Sequence, residues 1–261
     1  MKAVKFVLWF FLSLVLIAAI SAAVLYVIAS AVPADYRPPV LAPPQRVSSA
    51  KQFYRLVTEF INNADDIKPF EMTLTQAEIN EYLASVDEIV NERPGPGDDS
   101  PRKAMEEAGL AGPMLVAKDG RITLMGLSAD YKKILSVDLV FEFTDDRRLR
   151  ARVSGMRVGR LPVPRPFVRR TVGMMKEHLG QEGRNVSAGK DKRGAYPSAQ
   201  EVGELLAALI SAVEQEPITP VFGHDRKRQV RLVSIEAADG RIVLGFEPFG
   251  REFTARTAPD R

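Results

Sequence analysis

Cysteine is absent from the whole chain of 261 residues. That excludes disulfides, thiolate metal sites, cysteine nucleophiles and a lipid-modified bacterial N-terminus. Histidine is nearly absent. His178 and His224 are the only two, and they lie far apart without ligand spacing, so no zinc site is expected. Net charge is scarce as well, at +3. Setting aside Lys2 and Lys5, 34 basic side chains face 33 acidic ones, so a global nucleic-acid-binding charge is missing. No glycine-rich phosphate loop and no nucleophile elbow occurs. The paired carboxylates Asp98-Asp99 and Asp145-Asp146 sit in turn or loop composition and read as solvated groups. No catalytic residue, metal site or cofactor is expected, and the chain reads as non-enzymatic.

What is present begins with a long apolar run. Phe6 to Val32, FVLWFFLSLVLIAAISAAVLYVIASAV, holds 27 residues and no charge. As a helix it would extend ~40 Å, against a hydrocarbon core of ~30 Å. Trp9 and Tyr26 suit the two interfaces. Ala29-Ser30-Ala31 has the small-x-small form of a signal-peptide cleavage site, but the run is much longer than a signal h-region. An uncleaved membrane anchor is the expectation. Lys2, Lys5 and the terminal amine cluster before it and Asp35 follows it. This favours an N-in, C-out orientation at the cytoplasmic membrane.

The rest divides by composition. Residues 1–5 form a cytoplasmic tail, 6–32 the transmembrane helix and 33–47 a semi-rigid spacer with five prolines, lifting a domain off the membrane. Residues 48–256 form an extracytoplasmic α+β domain, a twisted antiparallel sheet covered by amphipathic helices, and 257–261 a disordered tail.

Within that domain, Ser48 and Ser49 precede a helix with Phe53, Leu56, Val57, Phe60 and Ile61 on one face. SSAK there also matches a Ser-x-x-Lys hydrolase pattern, but its companion motifs are missing, so it reads as a helix start. Residues 91–113 read as an excursion with a short helix near 102–108. DGRITL (119–124) and DGRIVL (239–244) each promise a hairpin turning at Asp-Gly. The registers expected are Ala117 with Ile122 and Leu115 with Leu124, then Ala237 with Ile242, Ile235 with Leu244 and Val233 with Phe246. Each hairpin follows a capped helix, starting at Thr75 with Glu78 and at Ser198 with Glu201. This defines candidate repeat units 75–127 and 198–247. Duplication and convergence both account for the likeness, because Asp-Gly is the commonest hairpin turn. Between the units, Val137, Leu139, Phe141 and Phe143 should face inward, as should Leu149, Ala151 and Val153. A bulge is expected near Ser154-Gly155, and a helix from about Pro166 to Leu179.

TLTQAEINEYL (73–83) and VGRLPVP (158–164) resemble motifs of the YpmS-like group of bacterial proteins. The resemblance covers about residues 70–165. It implies one N-terminal transmembrane helix, an outward-facing domain akin to tubular lipid-binding folds, and a lipid or other apolar ligand. It carries over no catalytic residue. An envelope-protein partner, with the chain as scaffold, is the alternative.

Residues 147–170 hold nine arginines and no acid, whereas 59–107 hold thirteen acids. Arg148, Arg150 and Arg152 alternate with the inward Leu149, Ala151 and Val153 and should project from one strand face. They are the candidate contact for an anionic lipid or polymer. A solvated face paired with the acids of residues 59–107 is the competing reading. Nucleic acid is not expected, since only Phe167 offers an aromatic ring among these arginines.

Overall fold

The computed structural model describes residues 2–66, 68–90, 110–129, 131–168, 217–222 and 229–249. It is an α+β fold. An apolar helix α1 (Lys2–Ser30) leads into an extended segment and then α2 (Pro43–Asp65). Next come β1 (Phe70–Thr75), α3 (Gln76–Ala84), α4 (Val86–Val90) and the hairpin β2 (Leu110–Lys118) and β3 (Arg121–Ser128). The strands β4 (Lys133–Phe143), β5 (Leu149–Val158), β6 (Leu161–Pro162), β7 (Val221–Phe222), β8 (Gln229–Ala238) and β9 (Arg241–Phe249) complete it. Two antiparallel sheets result, in the orders β1-β9-β8-β7 and β2-β3-β4-β5-β6.

The span Leu12–Ser30 of α1 is long and apolar enough to cross a membrane, and none of it is buried in the protein. Two of its three serines turn their hydroxyls back onto the helix. The Ser13 and Ser30 hydroxyls donate back to the carbonyls of Trp9 and Tyr26, at 2.9 and 2.7 Å.

The proline segment behaves differently from the expected spacer. Pro43 and Pro44 occupy the first turn of α2, so that helix starts before Ser48. A missing N–H costs nothing in a first turn, and the fixed φ suits a helix, so proline opens helices as readily as it stiffens linkers. The Gln45 side chain accepts the Ala42 N–H at 2.9 Å. The extended part lies on the five-stranded sheet instead of standing clear. Tyr36 packs against Met114, Met125 and Ile134, and its hydroxyl donates to the Gly112 carbonyl at 2.9 Å.

Among the described residues the largest apolar cluster lies between α2 and the four-stranded sheet, with Leu149 of β5 joining it. Ala64, Met72, Leu149, Val230, Leu232 and Phe246 form its buried centre. Phe70 stacks on Phe246 at 5.1 Å between centroids, and Phe60 meets Phe246 edge-on at 5.2 Å. Aromatic pairs of this kind add ~1 kcal/mol each beyond their area burial. Thr75 and Glu78 form the expected capping box.

Both hexapeptides are hairpin tips. Asp119, Gly120, Asp239 and Gly240 have φ of 52°, 72°, 48° and 72°, the type I′ geometry that matches strand twist. Registers near the tips are as expected: Ala117 faces Ile122 and Leu115 faces Leu124, while Ala237 faces Ile242 and Ile235 faces Leu244. Further out, Phe246 faces Leu232, not Val233, because Val233 is bulged out between Leu232 and Ser234. Gly245 sits opposite Ser234, whose hydroxyl occupies the space where a Cβ would be.

The hairpins belong to different sheets, yet their tips meet. Gly120 N–H donates to the Ala237 carbonyl at 2.8 Å, and Gly240 N–H donates to the Ala117 carbonyl at 3.0 Å. Equivalent residues thus exchange equivalent bonds, and Ala117, Ile122, Ala237 and Ile242 share one buried cluster with Leu115. The helix of the second unit, from Ser198, lies outside the described residues, as do the 102–108 segment, the helix expected beyond Val168 and the 257–261 tail.

Strand β4 shows a further difference. Its buried residues are Ile134, Ser136 and Asp138, while Val137 and Leu139 are half-buried. Phe141 and Phe143 do pack on the main core. Alternation alone cannot choose between faces when both are covered, and here Tyr36 covers the second one. The bulge falls at Ser154, so that Asp138 faces Gly155 and Leu139 faces Val153. Strand β2 starts at Leu110, inside the expected excursion, with its own irregularity between Ala111 and Met114.

Candidate functional site

The arginine row is placed as the alternation requires. Arg148, Arg150 and Arg152 are exposed, and Leu149 and Ala151 between them are fully buried. Their partners are local. Arg148 pairs with Asp146 across its own turn, and Arg152 pairs with Glu142 of β4 at 2.6 Å. Arg150 lies opposite Glu142 in register and has no ion pair among the described residues. Neither the Arg148 pair nor the Arg152 pair reaches the acidic 59–107 segment. Exposed pairs of this kind contribute ~0–1 kcal/mol each, so they do not fix the fold.

Arg147 reaches across to the other sheet. It grips both oxygens of Glu247 at 2.9 and 3.0 Å, and Arg231 Nε donates to the same carboxylate at 2.9 Å. Partial burial alone would raise the Glu247 carboxyl, but the two guanidiniums outweigh it and hold it below the ordinary range.

A second polar group lies on the Tyr36 side of the five-stranded sheet. Asp138 accepts from Thr123 Oγ1 at 2.7 Å and from Arg157 at 2.8 Å. Gly155 leaves room for it, since a Cβ there would stand 3.0 Å from the carboxylate. Ser136 beside it is fully buried and its hydroxyl has no partner among the described residues. Among the described residues no cluster of three His, Asp or Glu could hold a metal. His178, His224 and Asp98-Asp99 lie outside the described residues.

A third arrangement was not read from the sequence: α1 is seated on the sheet. The Arg160 N–H donates to the Ile28 carbonyl at 3.1 Å and its Nε to the Val32 carbonyl at 3.2 Å. The Lys133 ammonium touches the Ser30 hydroxyl and lies 4.5 Å from the Tyr26 ring centroid. Gly159, at φ 59°, leaves no room for a Cβ, because the Ala29 backbone fills that position. The turn between β5 and β6 and the start of β4 thus form a seat for the last turn of α1. The faint signal in the sequence was Gly159-Arg160 between two strand-like stretches, where glycine marks close backbone approach.

The clasp joining the hairpin tips was also missed. Gln76 N–H donates to the Gly240 carbonyl at 2.7 Å, while its Oε1 accepts the Ala117 N–H at 3.1 Å. Asn80, 5% exposed, accepts the Leu115 N–H at 2.7 Å and donates to the Leu115 carbonyl at 2.9 Å. Two amides at i and i+4 beside the Ile79/Leu83 stripe were the legible clue.

Comparison with known proteins gives no match: no family model, no curated protein and no solved structure.

Proposed function

We propose that the chain is a single-pass membrane protein, N-terminus in, whose extracytoplasmic domain works by binding a lipid or other apolar ligand and not by catalysis. The observation that carries this is a row of apolar side chains running beside the seat of α1. Leu124, Val137 and Met156 stand opposite one another across β3, β4 and β5, followed by Leu135 and Val158. They remain half-buried or, for Leu124, 43% exposed. An acyl chain leaving the bilayer beside α1 would meet this row first. The resemblance to YpmS-like proteins supports the same reading.

The test is native mass spectrometry on the full chain released from membranes in a polymer belt. Lipid should remain bound to the wild type and fall several-fold in Val137→Asp, with circular dichroism unchanged. Equal lipid retention by Val137→Asp would overturn the ligand reading. A protein captured by photocrosslinkers at 124 and 137 would favour a scaffold instead.

A further inference from the structure

We propose that the turns flanking the seat form a collar that binds anionic phospholipid headgroups, with Tyr131, Lys132, Lys133 and Arg160 as its contacts. The proposal rests on reading α1 as a membrane anchor, and it names the surface and the lipid class that reading leaves open.

Depth follows from α1 itself. Trp9 and Tyr26 are 69% and 67% exposed. Seventeen residues apart, they are separated by ~26 Å of helix, close to the ~30 Å hydrocarbon thickness. Aromatic side chains at that spacing occupy the two interfaces. Tyr26 therefore marks headgroup depth on the domain side, and the Lys133 ammonium lies directly over its ring. Whatever tilt the domain adopts, groups touching the last turn of α1 stay at that depth. Arg148, Arg150 and Arg152 have no such guarantee. Six residues or more of β5 separate them from Val158, ~20 Å along the strand, well beyond a Debye length of ~8 Å.

The chemistry of the collar fits phosphate. The turn between β3 and β4 presents Tyr131, 74% exposed, next to exposed Lys132 and to Lys133. Lys132 holds φ at 50°, anchored by its N–H to the Ser128 carbonyl at 2.8 Å, so the turn is shaped and its lysine points clear of the ladder. Arg160 adds a third cation while capping the last carbonyls of α1. Two acids lie close in sequence, Asp35 after α1 and Asp130 just before Tyr131, against three basic groups. Each basic group near an anionic surface contributes about a fivefold preference.

Trp9 is the only tryptophan, which gives a built-in control. The full chain would be reconstituted in vesicles of phosphatidylcholine and phosphatidylglycerol, with one or the other brominated. In a Trp9→Phe, Tyr131→Trp chain, emission should be blue-shifted and quenched more by brominated phosphatidylglycerol than by brominated phosphatidylcholine. Lys132→Asn should lower that preference about fivefold, and asparagine keeps the left-handed turn. Water-like, unquenched emission from residue 131, with Trp9 quenched in the wild type, would overturn the collar and leave the anchor standing. Equal quenching by both lipids would overturn the anionic preference. Unquenched Trp9 would remove the anchor, and the collar with it.

Discussion

Single side chains here matter through the backbone groups they satisfy. Asn80 occupies the outer edge of β2, answering both the N–H and the carbonyl of Leu115. Asn80→Leu should lower stability by about 2–4 kcal/mol, since it strands a buried donor and acceptor together. Asn80→Asp should also destabilise, because a carboxylate cannot donate to the Leu115 carbonyl. Denaturant unfolding of the two variants checks both. Glu247 supplies a pH test. Its pKa is depressed in the folded state, so its contribution is fully present above the unfolded carboxylate value and is lost as pH falls through the folded one. Wild type should lose stability below about pH 4 more steeply than Glu247→Gln. Identical slopes would show that the Arg147 and Arg231 pairs contribute nothing. The capping residue Thr75 was legible because its geometry is local. The roles of Asn80 and Glu247 were not, because each depends on a strand distant in sequence.

Elements were legible where the pattern is periodic or the turn chemistry is strict. Asp-Gly fixed both tip registers, and the Ser154 bulge followed from the phase change between Val153 and Met156. Sheet membership was not legible, since hairpin periodicity carries no record of which neighbour it joins. Hence the two DGRI hairpins fall in different sheets, with their tips exchanging backbone bonds and the apolar residues behind the tips sharing one cluster. The same limit hid the seat of α1, which depends on Gly159. Gly159→Val should both strain a positive-φ site and press a side chain into the Ala29 backbone. Its expected effect is release of α1 from the sheet, seen as faster proteolysis between residues 31 and 42 while the hairpin amides remain protected from exchange. Unchanged cleavage would mean that this contact does not hold the helix.

At the scale of the molecule, the proline segment changes the picture from a tethered domain to a seated one. A chain starting at Val47 lacks both the Tyr36 contact and the first turn of α2. It should be less stable than a chain starting at Ala34, by about 2–4 kcal/mol, the scale of losing a buried aromatic contact. Equal stability would return the segment to the role of passive spacer. A reporter after Arg261 should be active only outside the cytoplasm if α1 enters N-in. The most direct measurement exploits the missing cysteines. In the full chain in its native membrane, Ser30→Cys with Lys133→Cys should be joined rapidly by a short bismaleimide, read by mass spectrometry, and Gly159→Val should suppress the product. The control pair, Ser30→Cys with Arg152→Cys, should not react. Equal yields from the two pairs, or none from the first, would contradict a domain seated on α1.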